Sequence, residues 1–165
     1  MTITLKPLEE GFINENTLSW YSNLEAIKFS DNQYRDFSLE NQKRWVRETN
    51  NNADIKLFGI FHNNKYIGNF QFTGLQSFHK KADISYFIGD TKFWGKGIMT
   101  FVIKEAVSLS ITNLKLNKLT AGLAHENFGS KRALEKNRFI LEGVKKKHLF
   151  YNGQWFDQLD YGLLL

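Results

Sequence analysis

A turn punctuated by two glycines, Lys92-Phe93-Trp94-Gly95-Lys96-Gly97-Ile98, constrains this chain more than any other segment, because it joins a strand-like stretch to a helix-like one. Residues 82–88 before it have the β-branched and aromatic content of a strand. Residues 98–112 after it carry Ile98, Phe101, Val102, Ala106 and Leu109 at the spacing of a buried helix face. The first four N–H groups of a helix have no partner of their own, and the helix dipole favours negative charge there. Gly95 and Gly97 have no Cβ, so a pyrophosphate can approach the backbone closely. Lys92 and Lys96 add positive charge at the rim. The stretch reads as a phosphate cradle; the plainer alternative is a tight strand–helix turn in which the glycines serve packing alone.

Two sharper motifs are excluded. A P-loop needs four residues between its first Gly and Gly-Lys, then Ser or Thr; here five residues separate Gly89 from Gly95, and Gly97 follows Lys96. The dinucleotide fingerprint needs a third Gly where this chain has Thr100.

The 165 residues suit one domain spanning residues 1–165, and 42% hydrophobic with 15% aromatic content excludes disorder as the default state. With no cysteine, disulfides, thiolate metal sites and Cys nucleophiles all fall away. His62, His79, His125 and His148 lack metal-ligand spacing, so no metal is expected. The N-terminus has no apolar signal stretch and no run approaches a membrane span, which sets the expectation of a cytoplasmic protein with no membrane partner. A net charge of +5 suits an acidic ligand such as a phosphorylated cofactor, or nucleic acid. The densest basic cluster, Lys145-Lys146-Lys147-His148, falls in an expected strand and reads as a solvated edge. The other basic residues are scattered and no nucleic-acid motif is present, so nucleic acid is not the expected partner.

Residues 2–5 alternate as a first strand, and residues 17–29 carry Leu18, Tyr21, Leu24 and Ile27 at helical spacing. Ser38 is placed as the N-cap of a helix running to Thr49, with Glu40 in its first turn. Strands over 55–61 and 65–75 flank Asn63-Asn64, and strands over 139–150 and 155–164 flank Asn152-Gly153, the strongest hairpin signal of the chain. Between them lie the strand at 82–88, the helix at 98–112, a strand at 118–123 and a short helix at 129–136. This order predicts an α/β fold of the α+β type, a mixed sheet with helices packed on it, and not a doubly wound one.

From about residue 79 onward the chain resembles the GNAT superfamily of N-acetyltransferases, RimJ/RimL-type branch, and the likeness extends over nearly the whole length. The superfamily motif Arg/Gln-x-x-Gly-x-Gly/Ala is matched by Lys92-Phe93-Trp94-Gly95-Lys96-Gly97, with Lys92 a departure at the first position. The branch's Asn-x-x-Ser step, followed by Leu-Glu-Lys and Phe, is matched by Asn127, Ser130, Leu134-Glu135-Lys136 and Phe139; Arg138 stands where many members have Gly. The resemblance implies a mostly antiparallel mixed sheet flanked by helices, with acetyl-CoA as co-substrate and direct attack by a primary amine. It implies that Lys92, Trp94, Gly95, Lys96, Gly97 and Ile98 surround the pyrophosphate. The backbone at Phe87 and Ile88 then stabilises the carbonyl oxygen, and Asn127 and Ser130 meet the pantetheine arm.

Many relatives use a tyrosine to protonate the departing thiolate. The matching position here is Leu134, so the resemblance passes that role to Ser130; the alternative is that Ser130 only caps a helix or hydrogen-bonds the pantetheine. Asp83 is the base of choice, with His79, Glu126 and a relayed water as alternatives. The acceptor side is expected from the N-terminal helices, residues 28–38 and the loop at 76–80, with Tyr34, Arg35, Phe78 and His79 contributing. Trp20 and Tyr21 read as core. Arg35 suits an anionic acceptor. The Asn152-Gly153 hairpin and residues 28–38 are expected to face each other across the acceptor entrance. The acceptor is read as a peptide N-terminal α-amine, with two alternatives: a small-molecule amine such as a nucleotide-linked amino sugar, and a non-catalytic acyl-CoA-binding module. Monomer and homodimer both remain open.

Overall fold

In the computed structural model, which describes residues 2–165, seven strands form one sheet in the order β1-β2-β3-β4-β5-β7-β6. The strands are β1 (Ile3–Pro7), β2 (Ile55–His62), β3 (Lys65–Thr73), β4 (Lys81–Ile88), β5 (Lys118–Ala124), β6 (Ile140–Tyr151) and β7 (Gln154–Leu164). The helices are α1 (Glu15–Leu18), α2 (Leu39–Asn50), α3 (Ile98–Thr112) and α4 (Phe128–Lys136). Every neighbouring pair is antiparallel except β4 and β5, which run parallel. The mixed, mostly antiparallel sheet flanked by helices is the architecture expected from the sequence.

Both hairpins sit on left-handed backbone. Asn63 and Asn64 have φ of 48° and 65°, and Asn152 and Gly153 have 51° and 75°, the geometry whose twist matches that of paired strands. Ser38 caps α2 by accepting from the Asn41 N–H at 3.2 Å, as the sequence indicates. Strand β3 stops at Thr73 rather than at 75, because Gly74 turns at φ 82° and the Asp54 carboxylate accepts from the Gly74 and Gln76 N–H groups. Arg138 adopts left-handed backbone at φ 67°, and Asn137 ties the end of α4 to the Thr100 carbonyl at 2.9 Å.

The expected helix over residues 17–29 does not form. Asn14 starts α1 with a capping box, but the chain tightens into a 3-10 turn at Ser19–Ser22. The Asn23 side chain then accepts from the Glu25 N–H, a local bond that competes with helix continuation. Burial decides the path: Trp20 enters the core at 8% exposure, whereas Leu24, on the same expected helical face, stays 74% exposed.

Two cores lie on opposite faces of the sheet. One joins Ile60, Phe70, Ile84 and Leu119 to Ile98, Val102 and Leu134 of α3 and α4. The other joins Leu57, Phe61 and Tyr66 to Trp20 and Val46 of the N-terminal region and α2. Gly89 leaves room for Trp20, whose ring lies 2.1 Å from where a Cβ would stand. At the β6 edge, Lys145 pairs with Asp160 at 2.7 Å and Lys146 with Asp157 at 2.9 Å, so the basic cluster is largely matched by its own hairpin partner.

Candidate active site

The pairing of β4 with β5 stops after three residues, at Asp83 and Thr120, while β4 runs on to Ile88. Beyond that point a slot opens beside β4. Backbone groups alternate along a strand, and two bonds set their direction here. The Gly89 N–H donates to Ile67 O on the β3 side, and Lys80 O accepts from Asn117 N on the β5 side. Even-numbered residues of β4 therefore turn their backbone toward the slot, which points the Tyr86 and Ile88 N–H groups into it. Phe87 differs from the expectation, since its backbone faces β3 and its side chain stacks on Tyr21 with ring centroids 5.6 Å apart.

The glycine turn follows at the open end of the slot. Gly95 and Gly97 have φ of 71° and 74°, and no protein atom lies within 4 Å of a Cβ added at either. Gly97 is the N-cap of α3 and supplies no side-chain acceptor, so the first N–H groups of the helix remain free for a ligand. Lys92, Lys96 and Trp94 line the exposed side, and the Trp94 indole N–H donates to Ile88 O at 2.9 Å, latching the turn to the strand end. The Ile98 side chain is core, 1% exposed, so its contribution to the turn is its backbone N–H. Together these groups fit an anion such as a pyrophosphate.

On the helix side of the slot, Asn127 caps α4 by accepting from the Ser130 N–H at 3.2 Å. The cap is thus Asn127, and the Ser130 side chain is not used for it. The Ser130 hydroxyl lies close enough to the phenol of Tyr86, a residue that sequence reasoning missed, to act on its titration. Burial pushes the Tyr86 phenol up to about 12, with the Ser130 hydroxyl offsetting part of the rise. Leu134 is fully buried in the core.

On the opposite face, Asp83 accepts from the Thr120 hydroxyl at 2.9 Å. The side chain is reachable from solvent, yet desolvation by surrounding protein raises its pKa; the Thr120 bond opposes the rise and Asp160 adds to it. It lies in a concavity of about 530 Å³ that also takes in Asp31, Gly122 and Tyr151. A second pocket on this face, about 450 Å³, is lined by Tyr21, Arg35, Arg44, Asn69, Ser85 and Phe87 among others. Tyr21 sits between Phe37 and Phe87, its ring 4.0 Å from that of Phe37. It is pocket lining rather than core, and burial holds its phenol at about 12.

The structure brings Arg35 to this pocket and leaves three other expected contributors away from it. Tyr34 stacks on Tyr151 and its hydroxyl donates to Phe150 O. Phe78 is fully exposed, and His79 is exposed in the tight turn that precedes β4. That turn lies at the paired end of β4, roughly 23 Å from the slot mouth at 3.3 Å per residue. The segment at 28–37 and the Asn152-Gly153 hairpin do face each other, but in direct contact. Asn152 donates to Gln33 at 2.9 Å and to Lys28 O at 3.0 Å, and the Tyr151 hydroxyl donates to Asp31 at 3.0 Å.

A splayed parallel strand pair thus opens beside a glycine-led helix start able to hold an anion, with a polar pocket on the opposite face. The chain belongs to the acetyltransferase (GNAT) domain family, whose pattern matches residues 2–140. It is 32% identical to the probable N-acetyltransferase YjcK of Bacillus subtilis (strain 168) over 168 aligned positions, covering 94% of this chain and 90% of the relative. Its fold is similar to that of RimL, a ribosomal L7/L12 alpha-N-protein acetyltransferase in complex with coenzyme A (TM-score 0.89, 22% identity, covering 100% and 95% of the two chains). It is also similar to spermidine N-acetyltransferase from Vibrio cholerae in complex with CoA and spermine (TM-score 0.85, 21% identity, 98% and 95% covered). The chain is an acetyl-CoA-dependent N-acetyltransferase of GNAT type.

Proposed function

We propose that this N-acetyltransferase acetylates a primary α-amine at a protein N-terminus by direct attack. The observation that supports direct transfer is the slot with Ser130 on one face of the sheet and Asp83 on the other. A transfer needs a base where the amine enters and a hydrogen-bond donor where the thiolate leaves, and these lie on opposite sides of the reacting carbon. Acetyl-CoA supplies the acetyl group as an activated thioester. Gly95, Gly97 and the first N–H groups of α3 hold its pyrophosphate, with Lys92 and Lys96 at the rim and Asn127 toward the pantetheine. The Tyr86 N–H, the slot-facing group nearer Asp83, polarises the carbonyl, and the Ile88 N–H, about 16 Å along β4 from Asp83, meets the pantetheine. Asp83 accepts the amine proton through a water relay, and the Ser130 hydroxyl donates a hydrogen bond to the leaving sulfur, which departs as a thiolate and takes its proton from solvent.

The pocket of about 450 Å³ lies within the size range of small-ligand sites and suits the first residues of an extended chain. A name among structural neighbours, alpha-N-protein acetyltransferase, agrees with this acceptor. A second reading, a small-molecule amine such as an amino sugar, is favoured by the direct contact between the 28–37 segment and the 152–153 hairpin, which closes one side of the acceptor face. Acetyl-CoA consumption measured against N-terminal peptides, amino sugars, polyamines and amino acids decides. Acetylation of a short peptide with a small first residue is expected, and activity confined to amino sugars overturns the choice of acceptor. Failure to turn over any amine overturns Asp83 and Ser130 as catalytic groups.

Asp83→Asn is expected to lower kcat about 10-fold, less than the roughly 100-fold or more typical of a directly placed base, because Asp83 acts through water. Because burial raises the Asp83 pKa, the acidic limb of kcat/KM should lie above the ordinary carboxylate range and move in the variant. The sign for stability is opposite to that of a salt-bridged acid. The fold holds the proton more tightly than the unfolded chain, so stability falls as pH rises from the ordinary Asp range through the raised value. Asp83→Asn should therefore melt no earlier than the parent at neutral pH. An unchanged pH profile with a lower melting temperature would assign Asp83 a structural part only.

A further inference from the structure

The acceptor-side pocket carries a charge distribution that acetyl transfer itself does not require. Its lining holds two guanidinium groups, Arg35 and Arg44, against one carboxylate, Asp36. Neither arginine forms an ion pair among the described residues. Arg44 is held by an uncharged acceptor, Asn41 Oδ1 at 2.9 Å, which fixes the guanidinium without cancelling its charge and leaves other N–H donors open. Arg35 follows the 3-10 turn at Asp31–Tyr34, close enough to Tyr21 for its charge to act on the phenol. Much of the remaining polar lining is neutral: Asn32, Gln42, Asn69, Gln71 and Ser85. A polycationic amine needs carboxylates spaced along its length; this lining offers the reverse, and the carboxylates of this face, Asp31, Asp83, Glu142 and Asp160, gather in the neighbouring concavity, where they would favour a cation if the acceptor extended that way.

We propose that Arg35 and Arg44 form an anion subsite in the acceptor pocket, so that the enzyme prefers primary amines bearing a carboxylate or phosphate a few bonds from the nitrogen and rejects polyamines. The inference rests on reading this pocket as the acceptor side. Two planar guanidinium forks suit the paired oxygens of either anion. The shared chemistry has two sources: an acidic residue next to a peptide N-terminus, or the phosphate of a small amino compound.

The test compares matched acceptors. One arm uses short peptides beginning Ser-Asp, Ser-Asn or Ser-Lys; the other uses glucosamine 6-phosphate against glucosamine, with spermidine as the polycation. The anionic member of at least one arm is expected to show a kcat/KM about 10-fold above its neutral partner, the scale of one charge-assisted hydrogen bond, with Ser-Lys and spermidine lowest. The arm that responds identifies the source. The advantage should shrink with added salt, since both arginines are solvent-exposed. Arg44→Glu should abolish or invert the order and Arg44→Lys should keep part of it, with CoA affinity by calorimetry reporting that each variant is folded. Equal rates for charged and neutral partners, or an order unmoved by Arg44→Glu, overturn the subsite. Calorimetric binding of the same acceptors to the CoA-bound enzyme reads the subsite without turnover. Charge-dependent binding without acetylation would sink the proposed transfer and keep the subsite; charge-independent binding would sink the subsite.

Discussion

Gly97→Val is expected to weaken CoA binding by at least ~100-fold, about 2.7 kcal/mol, and so to abolish turnover at ordinary acetyl-CoA concentrations. Gly97 caps α3 at φ 74°, and no protein atom lies within 4 Å of the space its Cβ would fill. What that space faces is therefore the ligand side of the turn. A branched side chain there separates an incoming pyrophosphate from the free N–H groups that favour it. The substitution also strains left-handed backbone, at roughly 1–3 kcal/mol, so lost affinity needs a control. Gly153 supplies it: its φ is 75°, and its Cβ space is equally open. Both Val variants should melt earlier by similar amounts, and only Gly97→Val should lose CoA in calorimetry. Undiminished affinity in that variant would remove the phosphate-cradle reading, whatever the melting temperatures show.

The elements legible in the sequence are those whose cause is local. Helix α3 keeps its expected limits because its apolar face and the preceding glycines are written within one stretch, and the Asn-Asn and Asn-Gly turns demand left-handed backbone that few other residues supply. The glycine turn is local in the same sense, whereas Asn127 and Ser130 came from the resemblance, and the structure shows Asn127 as the N-cap of α4. Residues 17–29 failed as a helix because Trp20 is placed by Gly89 and Tyr66, both far along the chain, while Leu24 on the same expected face finds no partner. The acceptor pocket failed in part on similar grounds. Asn69 and Gln71 look like ordinary outward residues of a strand, and they line a pocket only because α2 and residues 30–37 fold over β3 and β4. A usable signal did exist: polar residues alternating within a central, otherwise apolar strand are costly unless something polar covers them. Phe78 and His79 were drawn to the site by nearness in sequence to β4, at the end of the strand away from the slot mouth. Tyr86 was missed although its neighbours were named, because the register alone does not say which face of β4 meets α4.

Ser130→Ala is expected to lower kcat about 100-fold while leaving the KM for acetyl-CoA within a few-fold of the parent. The competing explanation, loss of a helix cap, costs about 1 kcal/mol where the side chain is the cap. In this protein Asn127 is the cap and Ser130 contributes only its N–H, which alanine retains. The variant should therefore melt close to the parent, and a rate loss without a stability loss isolates the hydroxyl's chemistry. Leu134, buried in the core, offers no donor in its place. The phenol that faces Ser130 stays protonated at neutral pH, since burial lifts Tyr86 to about 12. Neither that phenol nor the still less acidic serine hydroxyl readily gives up a proton to a thiolate near pKa 8.5, so Ser130 stabilises the departing sulfur as a hydrogen-bond donor, with the Tyr86 phenol beside it. Tyr86→Phe should then cost less than Ser130→Ala, and the double variant should fall no further than Ser130→Ala alone. Additive losses would mean two independent effects. A slow Tyr86→Phe beside a normal Ser130→Ala would transfer the donor's part to the phenol. Normal rates in both would mean that the thiolate departs without a protein donor, and the hydroxyl pair would be left as packing between β4 and α4.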